Sequence, residues 1–353
     1  MMTRRRFLGA SAVAGMSALL PRRGAPVEAA PEARVSLVRS SDRAEAISAA
    51  IDLLDLDPVN GKRVVLKPNF NSSDPFPGST HPTTLRSLIE KLGEMGARSI
   101  VVADRSGMGD TRRVMEQKGV FDLGAEMGFD TLAIDELAGE AWTHFEMPDS
   151  HWQRGAHFPK LFAEAESIVQ TCCLKTHRFG GHFTMSLKNS VGMAAKFSPV
   201  DNYNYMGELH SSGDQRLMIA ELNTLYRPDL VLLDGMKAFV DGGPDTGRTV
   251  SPGVVIAGAD RVAVDAVGVA VLRLLGTTFA VSSGKVFGQE QIRRAAELGI
   301  GVASPEQITV VVPDHESATF ARRLAPILGM AVQTRDVESA SKLPTTWADI
   351  KTS

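Results

Sequence analysis

The chain has 353 residues, of which 43% are hydrophobic, and a formal net charge of −3 at pH 7. This mild acidity gives no general attraction for nucleic acid or anionic lipid, so we expect neither as a partner and any basic cluster to be local. The only two cysteines, Cys172 and Cys173, are adjacent, which excludes a disulfide framework and a cysteine-rich iron–sulfur or zinc site.

The chain begins with a pattern close to a twin-arginine export signal. Residues 4–8, of sequence RRRFL, precede a weakly hydrophobic stretch at 9–20, and small residues at 27–29 offer a cleavage site. The stretch is shorter than the roughly 20 apolar residues that span a bilayer, so we expect no stable membrane anchor after cleavage. We therefore predict a signal peptide at 1–29, the twin-arginine translocase as a partner and a periplasmic or other extracytoplasmic location. Loss of this segment, with its five arginines and one glutamate, would leave a net charge of about −7.

Apolar stretches typical of strands alternate with amphipathic helical segments through most of the chain. The strand pattern is found at 35–38, 63–66, 99–103, 131–134, 167–174, 229–233, 254–257 and 307–312. The helix pattern is found at 42–54, 82–96, 111–118, 120–127, 215–226, 262–275, 289–298 and 317–328. Helix 42–54 is expected to be capped by Ser40 or Ser41.

This alternation predicts an α/β fold with a mainly parallel sheet and helices on both faces. The predicted domain covers residues 35–335 and is followed by a polar, loose tail at 336–353. Residues 140–160 break the pattern and predict a small irregular insertion, either a hairpin or a lid.

Polar residues that could carry chemistry follow the predicted strands. Lys67 and Asn69 come after strand 63–66, Asp104 after 99–103 and Asp234 after 229–233. Because ligands of open α/β sheets bind at the carboxyl ends of the strands, we expect these side chains to converge there. Asp260, after strand 254–257, fits such a site or a helix cap equally well.

The densest cluster of polar residues lies between 175 and 189. It contains Lys175, Thr176, His177, His182, Lys188 and Asn189, together with a pair of glycines at 180–181. Its cations and backbone amides suit a carboxylate or phosphate. Six of the eight histidines lie between residues 144 and 210, so a second interpretation stays open. In it, His177, His182 and His210 are ligands of a divalent metal, and Asp234 or Asp241 is the carboxylate ligand.

Two further loops of the sequence contain glycines and polar residues. Residues 104–110 lack the P-loop lysine and the full dinucleotide spacing, so they do not indicate nucleotide binding. Gly242 and Gly243 follow Asp234 closely, and we predict that they either contact the ligand or form a tight turn.

Five separated stretches of the chain resemble the uncharacterised DUF362 family. They read VVLKPNFN (64–71), HPTTLRSLIEKLGEMGARSIVVAD (81–104), CLKTHRFGGHFTMSLKNSVGM (173–193), PDLVLLDGMKAFVDGGPDTG (228–247) and VVIAGADRVAVDAVG (254–268). The resemblance implies that ten residues belong to the family's motif positions: Lys67, Asn69, Asp104, Lys175, Thr176, His177, Lys188, Asn189, Asp234 and Asp260. Some members of the family carry a ferredoxin-like cysteine-rich segment. This chain lacks one, so we expect no iron–sulfur cluster on it.

These residues lead to one main functional hypothesis. We expect an exported enzyme that acts on a small anionic substrate, with a divalent metal as a cofactor in one version of the hypothesis. In that enzyme His177, Lys188 and Asp234 are catalytic. Lys67, Asn69, Asp104, Lys175, Thr176, Asn189, Gly242 and Gly243 bind the substrate. The alternatives are a non-catalytic solute-binding or cofactor-binding protein and a cofactor-maturation factor.

Overall fold

A computed structural model describes residues 32–330 of the chain. The predicted signal peptide at 1–29 and the predicted tail at 336–353 lie outside the described residues. The strands are β1 (Ala33–Arg39), β2 (Arg63–Lys67), β3 (Ser99–Asp104), β4 (Asp130–Ala133), β5 (Trp142–Phe145), β6 (Ala156–Pro159), β7 (Ser167–His177), β8 (His182–Thr184), β9 (Leu230–Phe239), β10 (Thr249–Val250), β11 (Val254–Gly258) and β12 (Ile308–Val311).

The helices follow the same numbering along the chain. They are α1 (Arg43–Asp52), α2 (Pro82–Glu94), α3 (Thr111–Gln117), α4 (Val120–Met127), α5 (Lys160–Ala163), α6 (Ser186–Asn189), α7 (Tyr205–Ser211), α8 (Gln215–Leu222), α9 (Arg261–Leu274), α10 (Phe279–Ser282), α11 (Glu290–Glu297) and α12 (His315–Leu328). Within residues 32–330, none of the helices has the length and apolar character needed to cross a membrane.

The central sheet is mainly parallel, as predicted. Its strand order is β12-β1-β11-β9-β7-β2-β3-β4, with β10 paired to β9 and β8 paired to β7 at the margins. Strands β9, β7, β2, β3 and β4 run parallel to one another. Strand β11 runs antiparallel to both of its neighbours, β1 and β9. The carboxyl ends of β2, β3 and β7 therefore meet at one edge of the sheet.

Helices cover both faces of the sheet, which confirms the predicted α/β class. Helices α1 to α4 bury their apolar side chains against one face, where Leu66, Val102 and Leu232 point. The opposite face carries α8, α9, α11 and α12, which pack on side chains such as Leu174, Leu233 and Val35. Burial of these two layers accounts for the apolar spacing found in the sequence.

Some boundaries differ from the predictions made from sequence. Helix α1 begins at Arg43 and is capped by Asp42, whose carboxylate accepts the amide of Glu45 at 3.0 Å, so neither serine is the cap. Strand β7 continues through Lys175 to His177, and β9 continues past Asp234 to Phe239. Both strands were expected to end before these polar residues. They extend because each buried polar side chain finds a hydrogen-bond partner.

The irregular region at 140–160 contains a small antiparallel pair of strands, β5 and β6. His144 lies opposite His157 in this pair, and their rings are 4.7 Å apart. The apolar side chains of the pair, including Trp142 and Phe158, pack with Trp152 in a third apolar cluster beside the central sheet.

Candidate functional site

A small polar cavity lies at the carboxyl ends of β2, β3 and β7, where the sheet geometry favours a ligand site. Its volume is about 40 Å³. It is closed by α6 and the turn after it. The lining residues are Lys67, Asn69, Asn71, Asp104, Arg105, Gly107, His177, Thr184, Lys188, Asn189, Val191, Gly192 and Pro244.

A buried ion pair forms the floor of the cavity. Lys67, the last residue of β2, places its Nζ 2.6 Å from the Oδ1 of Asp104, the last residue of β3. The backbone amides of Phe70 and Arg105 also donate to Asp104, at 2.6 and 2.7 Å. Burial raises the pKa of the Asp104 carboxyl, while Lys67 and the two amides oppose that shift. The Asp104 carboxylate thus already has one cation and two amides as partners within the protein.

Two asparagines connect this ion pair to Lys175. The Oδ1 of Asn189 accepts from Lys67 at 3.0 Å, and from the side-chain amide of Asn69 at 3.4 Å. The Nζ of Lys175 donates to the Oδ1 of Asn69 at 2.8 Å and to the carbonyl of Gly78 at 2.6 Å. Lys175 therefore supports the cavity from behind Asn69, rather than lining it.

Lys188 differs from the other two buried lysines because its amine has no partner. It lies on α6, is 9% exposed and lines the cavity. Within residues 32–330, no hydrogen bond or ion pair is formed by its Nζ. Burial lowers the pKa of Lys188 to about 7, and the nearby charges of Lys175 and Arg105 contribute to the shift.

His177 stands beside Lys188 as a neutral imidazole. Its Nδ1 accepts the amide of Gly181 at 3.2 Å, which places the ring proton on Nε2. Burial lowers the pKa of His177 strongly, and the charges of Lys188 and Lys175 lower it further. At neutral pH the ring lines the cavity as a hydrogen-bond donor through its Nε2–H.

Arg105 fixes one wall of the cavity. Its side chain donates to the carbonyls of Ala194 at 2.8 Å and Ser106 at 3.2 Å, and also to that of Val191. Its backbone amide donates to Gly192 at 3.2 Å. A Cβ on Gly192 would lie 2.8 Å from the Nζ of Lys67, so only glycine lets this turn approach the ion pair.

Two further lining residues carry buried polar atoms with no partner. These are the Nδ2 of Asn71 and the Oγ1 of Thr184, within residues 32–330. Buried donors in folded proteins almost always bond to protein, water or a ligand. Both atoms are therefore available to a molecule in the cavity.

Gly242 and Gly243 pack on the end of β7 and do not themselves line the cavity. The hydroxyl of Thr176 donates to the carbonyl of Gly242 at 3.1 Å. Gly243 has a φ of +62°, and a Cβ there would lie 2.2 Å from the carbonyl oxygen of Thr176. The glycines thus form a tight turn that brings the next residue, Pro244, to the cavity wall.

Asp234 is not part of the cavity, contrary to the expectation from sequence. Its carboxylate accepts from the side chains of Arg43 at 3.1 Å and Thr84 at 2.5 Å, which lie on α1 and α2. The reason is the length of β9. Because Asp234 lies within the strand, the alternation of side chains points it towards the α1–α2 face.

The proposed metal ligands are not assembled into one set. His182 is in register with His177, but it does not line the cavity, and its nearest charges are Arg216 and Glu290. His210 bonds to the Met206 carbonyl of its own helix, at 2.7 Å. Over residues 32–330, no three His, Cys, Asp or Glu side chains form a group that could hold a metal ion.

Sequence reasoning identified six of the thirteen residues that line the cavity, and several of the missed residues are polar. Of the predicted residues, Lys67, Asn69, Asp104, His177, Lys188 and Asn189 line it. The residues missed include Asn71, Arg105, Thr184 and Gly192. Of these, all but Arg105 lie inside the stretches that carry the family resemblance, and Arg105 follows one directly. Position within a motif was thus the signal that could have found them.

Three comparisons relate the chain to known proteins. The family model described as "Domain of unknown function (DUF362)" matches residues 64–270, which contain all five resembling stretches. The "Thylakoid-associated protein sll1697" of Synechocystis sp. is 26% identical over 292 residues, covering 78% of this chain and 85% of that protein. The lactate racemase apoprotein from Thermoanaerobacterium thermosaccharolyticum gives a TM-score of 0.36 at 18% identity and 57% coverage of this chain. The match spans half the length of that structure.

Proposed function

This chain belongs to the DUF362 family, and we propose that it is an enzyme that binds a small anionic substrate in the cavity between β2, β3, β7 and α6. The observation that carries the proposal is the imbalance between donors and acceptors around that cavity. Lys188, Asn71 and Thr184 offer donors without partners in the described part of the chain. The one carboxylate among the described lining residues, Asp104, is already bound to Lys67 and two amides.

A cavity of this kind favours a ligand that is rich in acceptors. A buried cation without a counter-charge is costly, and a hydrogen-bonded anion offsets that cost. Charge-assisted hydrogen bonds from a lysine are also stronger than neutral ones. A carboxylate or a similar oxyanion supplies both the acceptors and the negative charge that these residues lack.

The volume of the cavity limits the size of the ligand. One water needs about 10–15 Å³ measured in the same way, so 40 Å³ holds roughly three water-sized groups. That space suits a carboxylate with one or two further atoms. A larger substrate would have only this anionic end inside.

Lys188 and His177 would have different roles in such an enzyme. Lys188 holds the anion and supplies positive charge near the reacting atoms. His177, neutral and with its proton on Nε2, donates a hydrogen bond to an oxygen of the substrate on which negative charge develops. Lys67, Asn69, Asp104 and Asn189 keep the cavity in shape through the buried network around the ion pair.

The proposal is tested by thermal unfolding with formate, acetate, bicarbonate or inorganic phosphate, against chloride at equal ionic strength. We expect at least one of these anions to stabilise the protein, since a ligand at about 100 times its dissociation constant adds about 2.7 kcal/mol. Lys188→Met should abolish the stabilisation. Lys285→Met, at an exposed position, is the matched control and should retain it. Equal stabilisation of both variants, or of neither protein by any anion, would refute the anion site.

An assay for product formation distinguishes an enzyme from a binding protein. Compounds that stabilise the protein are incubated with it and then analysed for products. A product that forms with wild-type protein and not with His177→Gln supports the enzyme. Ligands that all return unchanged would support a non-catalytic binding protein instead.

We also propose that the protein is exported by the twin-arginine route. Support comes from the RRRFL sequence at 4–8, outside the described residues. Replacing both Arg4 and Arg5 by lysine preserves the charge and should leave the full-length precursor in the cytoplasm. Export of that variant at the normal level would contradict the proposal.

A further inference from the structure

The buried lysines near the cavity differ in what surrounds their amines. The Nζ of Lys67 bonds to Asp104, Asn189 and the carbonyl of Pro68, all within 3.0 Å. Lys175 bonds to two carbonyl-type oxygens. Three acceptors take all the N–H groups of the Lys67 ammonium, and two acceptors hold the Lys175 amine outside the cavity lining. Lys188 has none of them within residues 32–330, so nothing in its surroundings ties up its nitrogen.

The neighbours of Lys188 also favour its uncharged form. Lys188 lines the cavity together with Arg105 and lies in the field of Lys175, and its burial disfavours an ammonium. These conditions bring the pKa of Lys188 to about 7. A desolvated lysine beside other cations is the arrangement that activates an amine as a nucleophile.

We infer that Lys188 forms an imine with the carbonyl carbon of a short 2-oxo carboxylate held in this cavity. The inference rests on the proposed anion site, because the carboxylate of that substrate is the anion the site would take. A 2-oxo acid unites in a few atoms the two groups that the cavity can engage: an anion for the open donors and an electrophilic carbon for the free amine.

The reaction balances without any further reactant. The uncharged amine of Lys188 attacks the carbonyl carbon, a C–N bond forms as the C=O π bond breaks, and one proton passes from the nitrogen to the oxygen to give a carbinolamine. The C–O bond then breaks, the hydroxyl leaves as water with the second proton of the nitrogen, and the C=N bond is formed. No atom is oxidised or reduced, and one water is released for each imine.

His177 is placed near enough to Lys188 to assist this step. Its Nδ1 and the Cε of Lys188 each lie 2.9 Å from the position that a Cβ on Gly181 would occupy, so no more than about 6 Å separates them. As a neutral imidazole, His177 can donate a hydrogen bond from Nε2 to the oxygen on which negative charge develops.

The experiment uses glyoxylate, the smallest 2-oxo acid, with sodium cyanoborohydride, which reduces an imine to a stable secondary amine. The full-length protein is treated at pH 7.5, digested, and the modified lysine is located by mass spectrometry. We expect the adduct at Lys188 with at least tenfold preference over Lys67, Lys175 and exposed lysines such as Lys285. The variant Lys188→Arg keeps the positive charge but cannot form an imine. It should lose the adduct.

The outcomes separate this inference from the proposed function. Stabilisation by acetate without an adduct at Lys188 would overturn the imine and leave the anion site standing. An adduct confined to exposed lysines would overturn it as well. No stabilisation and no adduct would overturn both. If Lys188→Arg does not fold, a competition experiment on the wild-type protein decides. Excess acetate should protect Lys188 from forming the adduct. An adduct that is insensitive to acetate would overturn the inference.

Discussion

Replacing Lys188 by methionine should make the folded protein more stable, because it removes a buried amine that has no partner. Methionine keeps the length of the side chain and its packing on α6, while the charge is lost. Most substitutions in a protein interior are destabilising. A gain in stability here would therefore be a specific sign of a lysine retained for function at the expense of the fold.

The size of the effect follows from the pKa of Lys188, which falls from 10.5 to about 7 on folding. Each pKa unit corresponds to about 1.4 kcal/mol. Below pH 7 the lysine is charged in both states, and the full penalty of about 5 kcal/mol acts on the wild-type protein. As the pH rises from 7 to 10.5, the folded state loses the proton first and the penalty declines. It amounts to about 2 kcal/mol at pH 9.

The assay is thermal unfolding of both proteins at pH 6 and pH 9, at the same ionic strength. At roughly 2 °C per kcal/mol for a chain of this size, the variant should melt about 10 °C higher at pH 6 and about 4 °C higher at pH 9. Lys285→Met, at an exposed position, should change little at either pH. A variant that melts below the wild type would refute the reasoning. A variant that melts above the wild type by the same margin at both pH values would refute it as well.

Three further predictions concern the surroundings of the cavity. Asp104→Asn should cost about 3–5 kcal/mol in urea unfolding, because it leaves the buried Lys67 without its carboxylate; the double variant with Lys67→Met should recover part of that loss. Gly243→Ala should lower the melting temperature more than Gly284→Ala. Both glycines have a positive φ, but only the first Cβ would meet a backbone oxygen, at 2.2 Å. Cys172 and Cys173 should not react with a thiol reagent at pH 8 until urea is added, since burial raises the pKa of Cys173 to about 12. Rapid labelling of the native protein would contradict this.

The apolar pattern predicted most of the sheet, and it failed where polar residues continue a strand. Strands at 63–66, 99–103 and 254–257 were placed within a residue of β2, β3 and β11. Strand β7 was expected to stop at Leu174, because lysine and histidine follow. The buried partners of Lys175 allow the strand to continue, and those partners come from a loop about a hundred residues away. No local pattern contains that information.

The same limit explains which parts of the site were found from sequence. The rule that ligands bind at the ends of parallel strands predicted that Lys67, Asn69 and Asp104 converge, and these three residues line one cavity. It failed for Asp234, whose strand continues past it. The unpaired state of Lys188 could not be predicted at all, because the absence of a partner depends on every element packed around it.

The position of β1 has a consequence for how the protein is made. This strand, the first of the described chain, is enclosed by β11 and β12 from the far end of the sequence. At a synthesis rate of about 5–20 residues per second, the 221 residues between Ser36 and Ala257 take on the order of 10 to 40 s to emerge from the ribosome. Throughout that interval neither of the two strands that flank β1 in the folded sheet is available to it. The sheet can close only once translation has almost finished, and a chain truncated before β11 would leave its first strand unpaired on both edges.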